Sequence, residues 1–154
     1  MVRRRPPNWS DGMTQTAISA EKVEAYKNTN YIVLADAGEF TLRVDQYSET
    51  LLELLRSTKK KSGTFVTAYN PLGRARDSKA NETANQRLSE YLRSLGARVI
   101  DGAGADPTGE WQPEPSFLAL GIDLAAAQRI GKLYKQDAII WIDSDAVPRL
   151  ILLR

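Results

Sequence analysis

Two residue types that carry much of protein chemistry are missing from this 154-residue chain, which has neither cysteine nor histidine. Without cysteine there is no disulfide framework, thiol nucleophile or thiolate metal site. Without histidine, the Ser-His-Asp and Cys-His systems, imidazole bases and histidine-ligated zinc all fall away. No zinc, haem or iron–sulfur cofactor is expected, and the identity of any other cofactor is unknown. Carboxylates, Tyr, Lys, Arg, Ser/Thr and amides are the groups left to act. No apolar stretch approaches the roughly 18 residues of a membrane span. Nor does an apolar run follow Arg3-Arg4-Arg5, as a secretory signal requires. The expectation is a cytoplasmic protein with no membrane partner.

What the chain does contain is ordinary for a globular protein, with 42% hydrophobic and 26% charged residues. Its length favours one domain with a core that needs no staple. The net charge of +2 sits in the first twelve residues, where Arg3, Arg4 and Arg5 outweigh Asp11. From Gly12 onward the charges balance, so a broad nucleic-acid face is not expected. The organisation read from this is a flexible basic arm over residues 1–15 and one α+β domain over 16–154. Met1 and Met13 both offer a start.

Thr16–Asn28 reads as a short amphipathic helix with Ile18, Val23 and Tyr26 inward. Tyr31–Ala35 and Phe40–Val44 form a hairpin around Asp36-Ala37-Gly38-Glu39. Ser48 caps a leucine-rich helix that ends near Lys59-Lys60-Lys61, where cations suit the helix dipole. Thr64–Tyr69 is a strand stopped by Asn70-Pro71, and a helix from Ser78 to Leu95 ends at Gly96. A short strand Arg98–Ile100 leads into a Gly/Pro-rich loop, Gly102–Pro115, of a length that usually marks function or disorder. Ser116–Gly121 is a strand, Asp123 caps a further helix, and Ala138–Ile142 and Pro148–Leu153 close the chain as strands. The order predicts a mixed β-sheet with about three to four packed helices.

Polar residues interrupt this pattern at one place. With about 100° per residue and Ala84 at the origin, Leu88, Tyr91, Leu92 and Leu95 form the core stripe of their helix. Asn81 falls inside that stripe and Asn85 on its edge. Buried amides need matched partners. They either tie down the Asn70-Pro71 loop or line a polar pocket at the helix N-terminus, where free N–H groups favour an anion. Tyr69 and Asn70 end the preceding strand, and Arg74 and Arg76 add cations nearby. The Gly/Pro-rich loop supplies Asp106, Glu110, Trp111, Glu114 and Ser116 on a frame stiffened by Pro107, Pro113 and Pro115. Two carboxylates beside an aromatic ring can serve as acid and base or hold a divalent metal. They can equally cap turns while Trp111 plugs the core edge. Gln136 and Trp141 read as structural.

Several segments in this order resemble the bacterial domain-of-unknown-function 3293 family. They are Phe65-Val66-Thr67-Ala68-Tyr69-Asn70-Pro71, then Asn81 and Asn85 followed by Leu88, and Gly104-Ala105-Asp106-Pro107. Trp111-Gln112-Pro113-Glu114-Pro115-Ser116 and Tyr134-Lys135-Gln136-Asp137-Ala138-Ile139-Ile140-Trp141 complete the set. The resemblance spans roughly Tyr26 to Leu153. It implies a bacterial protein and no particular activity.

Three functions compete. The first is binding of a small polar or nucleotide-like ligand in a pocket formed by the Tyr-Asn-Pro loop, the following helix N-terminus and the acidic loop. Tyr69, Asn70, Arg74, Arg76, Asn81, Asn85, Trp111 and Ser116 would bind. Glu114 would act as general base, with Asp106 as its partner or as a metal ligand. The second is a protein-binding or inhibitory module without catalysis, docking through Trp111 and Tyr47. The third is nucleic-acid binding confined to the basic arm. Whether the chain is an enzyme stays open at this level.

Overall fold

The computed structural model describes residues 16–154, so the basic arm and Trp9 lie outside the described residues. The elements are α1 (Ala20–Asn28), β1 (Asn30–Ala35), β2 (Gly38–Leu42), α2 (Glu49–Thr58), β3 (Gly63–Val66) and α3 (Ser78–Ser94). They continue with β4 (Arg98–Ala105), β5 (Glu114–Leu120), α4 (Leu124–Leu133), β6 (Ala138–Ile142) and β7 (Pro148–Leu152). A 3₁₀ turn over Pro71–Gly73 separates β3 from α3. Local chemistry sets the helix starts. The side chains of Ser19, Ser48, Asp77 and Asp123 each accept a backbone N–H two or three residues into their helix.

Seven strands form one sheet in the order β2-β1-β4-β5-β3-β6-β7. Every pairing is antiparallel, which corrects the expected mixed sheet. The reason lies in the crossovers. Helix α3 joins β3 to β4 and α4 joins β5 to β6, yet each crossover lands two places away. An antiparallel strand fills the gap, β5 in the first case and β3 in the second. The connected strands run parallel without touching. The fold is α+β.

Strand alternation sends residues to two faces. One face carries Tyr31, Val33, Phe65, Leu118, Leu120, Ile140 and Ile142, covered by Leu51 and Leu55 of α2. The other carries Val66, Ala119, Ile139 and Trp141, covered by Leu88 and Leu92 of α3 and by Ala127 and Ile130 of α4. Each fully buried leucine in these layers contributes about 1.5–3 kcal/mol relative to exposure.

Three sequence expectations need correcting. Helix α1 starts later than expected and buries none of its residues; Ile18, which is buried, precedes it. The inward stripe of α3 is rotated, because Tyr91 and Leu95 are exposed while Asn81, Asn85 and Ser89 are buried with Leu88 and Leu92. The amides therefore sit at the centre of the stripe. The long loop shrinks to residues 106–113, since β4 runs on to Ala105 and β5 starts at Glu114. Gly102 and Gly104, which read as loop, are strand residues, and Gly102 faces close neighbours. At Gly102, a Cβ would collide with the Ile32 carbonyl oxygen and come within 3.0 Å of the Phe65 ring.

Candidate functional site

The face covered by α2 is not filled along its whole length. In β5, Leu120 and Leu118 point into the core, and two steps of the same alternation carry Ser116 and then Glu114 beyond it. There the sheet borders a cavity of about 320 Å³, within the size range of small-molecule sites. Gly104, directly paired with Glu114, leaves space beside the carboxylate because it has no side chain. Tyr31, Phe65, Ile140 and Leu150 give an apolar floor. Helix α1 lies across the opening. Its residues Lys22, Ala25 and Tyr26 and its C-cap Thr29 all line the cavity, and their spacing is that of one helix stripe.

Two carboxylates face this space under opposite conditions. Asp137 is 2% exposed. It accepts from Lys22 Nζ at 3.0 Å and from the Tyr26 hydroxyl at 3.3 Å on one oxygen, and from Arg154 Nε on the other. Burial pushes its carboxyl up, but the Arg154 and Lys22 hydrogen bonds and charges outweigh this and hold it below the usual range. Glu114 is half-buried and accepts one side-chain hydrogen bond, from Asn70 Nδ2 at 3.0 Å. No ion pair reaches it among the described residues. Burial pushes its carboxyl up, and the Asn70 bond reverses only part of that. Burial and the nearby Asp137 and Glu114 charges push the Tyr26 hydroxyl far up, so it stays a donor.

Asn70 is held in place by an unusual backbone. Asn70 and Leu72 both have positive φ, at 46° and 57°; asparagine tolerates this, whereas leucine pays a strain of order 1–3 kcal/mol. The surroundings enforce it. Leu72 N–H donates to the Lys135 carbonyl at 2.7 Å, and Gln136 Nε2 donates to the Tyr69 carbonyl at 3.0 Å. Asn81 closes a reciprocal pair, its Oδ1 accepting from Asn70 N–H at 3.0 Å and its Nδ2 donating to Asn70 Oδ1 at 2.9 Å. Arg76 Nε also donates to Asn81 Oδ1, and Arg76 N–H to Asn70 Oδ1. Asn85 Oδ1 accepts from Ala68 N–H and its Nδ2 donates to the Pro115 carbonyl, both at 2.8 Å. Asn85 thus joins the end of β3 to the start of β5, and Asn81 aims Asn70 at Glu114.

Of the residues singled out by sequence, Tyr69, Asn70, Trp111, Glu114 and Ser116 line one cavity. Asn81, Asn85 and Arg76 stand behind its wall with their polar atoms committed to the loop, and Arg74 is exposed. The N-terminus of α3 is occupied by Asp77, whose side chain accepts from Ala80 N–H. Asp106 does not share the cavity with Glu114. Its oxygens accept from Thr108 and Glu110 N–H and from the Thr108 hydroxyl within their own loop. The Thr108 backbone bond, offset by slight desolvation, holds its carboxyl below the usual range. No group of three carboxylates converges as a metal site among the described residues. The sequence reading did not single out Lys22, Tyr31 or Asp137 for the cavity, and Gln136, read as structural, lines it while its Nε2 holds the Tyr69 carbonyl. The spacing of Lys22, Tyr26 and Thr29 on one side of α1 and its C-cap was the available signal. Trp111 and Tyr47 are both exposed, at 41% and 55%, and Trp111 stands at the cavity rim. No helix among the described residues is long and apolar enough to cross a membrane.

A family model described as a protein of unknown function (DUF3293) matches residues 66–139. The chain resembles that family over this stretch, which includes the Tyr69-Asn70-Pro71 loop, α3 and Glu114. No curated protein and no solved structure matches the chain.

Proposed function

We propose that the chain binds a small polar molecule in the cavity beneath α1, with Glu114 as the group that reads it. One observation carries this: a carboxylate is brought by strand alternation to the wall of a cavity of about 320 Å³, with one neutral hydrogen bond and no counter-ion among the described residues. Such a group is expensive to bury unless something completes its partners. A mostly apolar cavity with a few convergent polar groups is also the usual form of a small-molecule site. The effort spent on aiming Asn70 supports the same reading, because a strained loop is held by Asn81, Gln136 and the Lys135 carbonyl at this point. A carboxyl with a raised pKa is also suited to exchange a proton with a bound molecule, so Glu114 is the general base if the ligand reacts.

Gly104→Leu provides the test. A Cβ at this position meets only Thr29 Cγ2, at 3.7 Å, so the strand accepts the change while the rest of the side chain grows into the cavity beside Glu114. Wild type and variant are screened by thermal shift against nucleosides, nucleotides, sugars, amines and amino acids. A ligand at 100 times its dissociation constant stabilises by about 2.7 kcal/mol, or roughly 5–11 °C for a domain of this size. Shifts present in wild type and lost in Gly104→Leu are expected. Shifts that survive the substitution put the ligand elsewhere and end this reading.

A further inference from the structure

Resting on the reading that the cavity beneath α1 holds a small molecule, we infer that its occupant is an organic cation. Its ammonium or amidinium group sits against Glu114 and its body against the aromatic rings of the wall. The two carboxylates of the cavity make the case by contrast. Asp137 already has Lys22, Arg154 and the Tyr26 hydroxyl, whereas Glu114 has only the neutral Asn70 amide and no cation among the described residues. A half-buried carboxylate of this kind is completed by a charge-assisted donor, and such hydrogen bonds are about twice as strong as neutral ones.

The other charges of the wall point the same way. Lys22 is the cation that lines it, and its ammonium is committed to Asp137 at 3.0 Å. An anion would therefore meet the Glu114 charge, while the lining cation among the described residues is already paired. Tyr26, Tyr69 and Trp111 line the same space, and the Glu114 charge is close enough to weigh on both tyrosine hydroxyls. Ring faces attract a cation within about 6 Å of their centroids, most strongly when water is excluded. A carboxylate ringed by aromatic side chains suits an ammonium or amidinium head on an apolar body.

The experiment titrates the full chain with three probes, benzamidine, phenethylamine and agmatine. Each is compared with a neutral counterpart of the same body, namely benzamide, phenethyl alcohol and N-(4-hydroxybutyl)urea. Wild type, Glu114→Gln and Gly104→Leu are measured by calorimetry and thermal shift. At least one cation is expected to bind wild type ten times or more tightly than its counterpart. That preference should vanish in Glu114→Gln, which keeps the hydrogen-bonding shape, and binding itself should vanish in Gly104→Leu. Equal affinity for a cation and its counterpart, or cation binding unchanged in Glu114→Gln, overturns the inference. If the neutral compounds bind and are lost in Gly104→Leu, the cavity reading stands without the cation. If none of the six binds, the cation inference is overturned by this panel, and the broader ligand screen decides the cavity reading separately.

Discussion

Replacing Asn85 by alanine separates an amide that holds the fold from one that reads a ligand. Asn85 is 6% exposed on α3. Its Oδ1 is the acceptor for Ala68 N–H at 2.8 Å, and Ala68 is itself buried. Its Nδ2 donates to the Pro115 carbonyl at 2.8 Å, an oxygen that also accepts from the Thr67 hydroxyl at 2.7 Å. In Asn85→Ala, Pro115 keeps one partner and loses about 1 kcal/mol, while Ala68 N–H is orphaned at a cost of about 1–3 kcal/mol. The sum is about 2–4 kcal/mol, a large share of the stability of a typical domain. It corresponds to a fall in Tm of roughly 4–16 °C for a chain of this length. Urea unfolding followed by tryptophan fluorescence, to which Trp141 buried on the same face contributes, gives the free energy. The slope against urea should not change, because the surface exposed on unfolding is the same. Asn85→Asp keeps the acceptor for Ala68 but sets an oxygen against the Pro115 carbonyl, so it too should lose about 2 kcal/mol or more. Gln86→Ala, exposed on the same helix, is the control. A loss below about 0.5 kcal/mol in Asn85→Ala, the size of an ordinary surface change, would refute the reasoning. The amide would then be free to serve a ligand.

The Glu114→Gln substitution should stabilise the unliganded chain at neutral pH. Its carboxyl binds a proton more tightly when folded, so the associated stability is complete below the ordinary value of 4.5 and is lost as pH rises through the raised folded value. The advantage of the glutamine variant in urea midpoint should therefore be small at pH 4 and grow toward pH 7; an advantage that shrinks over this range contradicts the raised pKa. Asp137→Asn should do the reverse. Its carboxyl is held below the ordinary 3.8, so its contribution is present above that value and lost as pH falls through the depressed one. The variant should lose about 1–3 kcal/mol at pH 7, since Lys22 and Arg154 are 41% and 39% exposed and can rehydrate. Limited proteolysis should cut α1 sooner in Asp137→Asn than in wild type, and an unchanged cleavage pattern would show that this carboxylate does not tether the helix.

Local information was enough for most elements. Ser48 and Asp123 cap helices because short polar side chains bond to nearby backbone N–H groups, and that chemistry is written in adjacent residues. The leucines of α2 and the apolar run of β6 identify buried faces by their spacing, and the inward placement of Asn81 and Asn85 followed from the period of α3. The α+β class, the absence of thiol and imidazole chemistry, and the gathering of Tyr69, Asn70, Trp111, Glu114 and Ser116 as candidates were all legible along the chain.

Pairing was not legible, because it joins residues far apart. That β4 extends through Gly102 and Gly104 depends on the approach of Ile32 and Phe65, which no local pattern announces. The antiparallel sheet depends on crossovers that skip a neighbouring strand. The division of labour among the candidates was also decided in three dimensions. Asp106 turns back on its own loop, Asn81 and Asn85 spend their amides on the backbone around Asn70, and Asp137 is neutralised by residues from both ends of the described chain. A sequence lists polar groups, but only the packed structure determines which of them find partners. Here it leaves Glu114, on the wall of the cavity, without a counter-ion among the described residues.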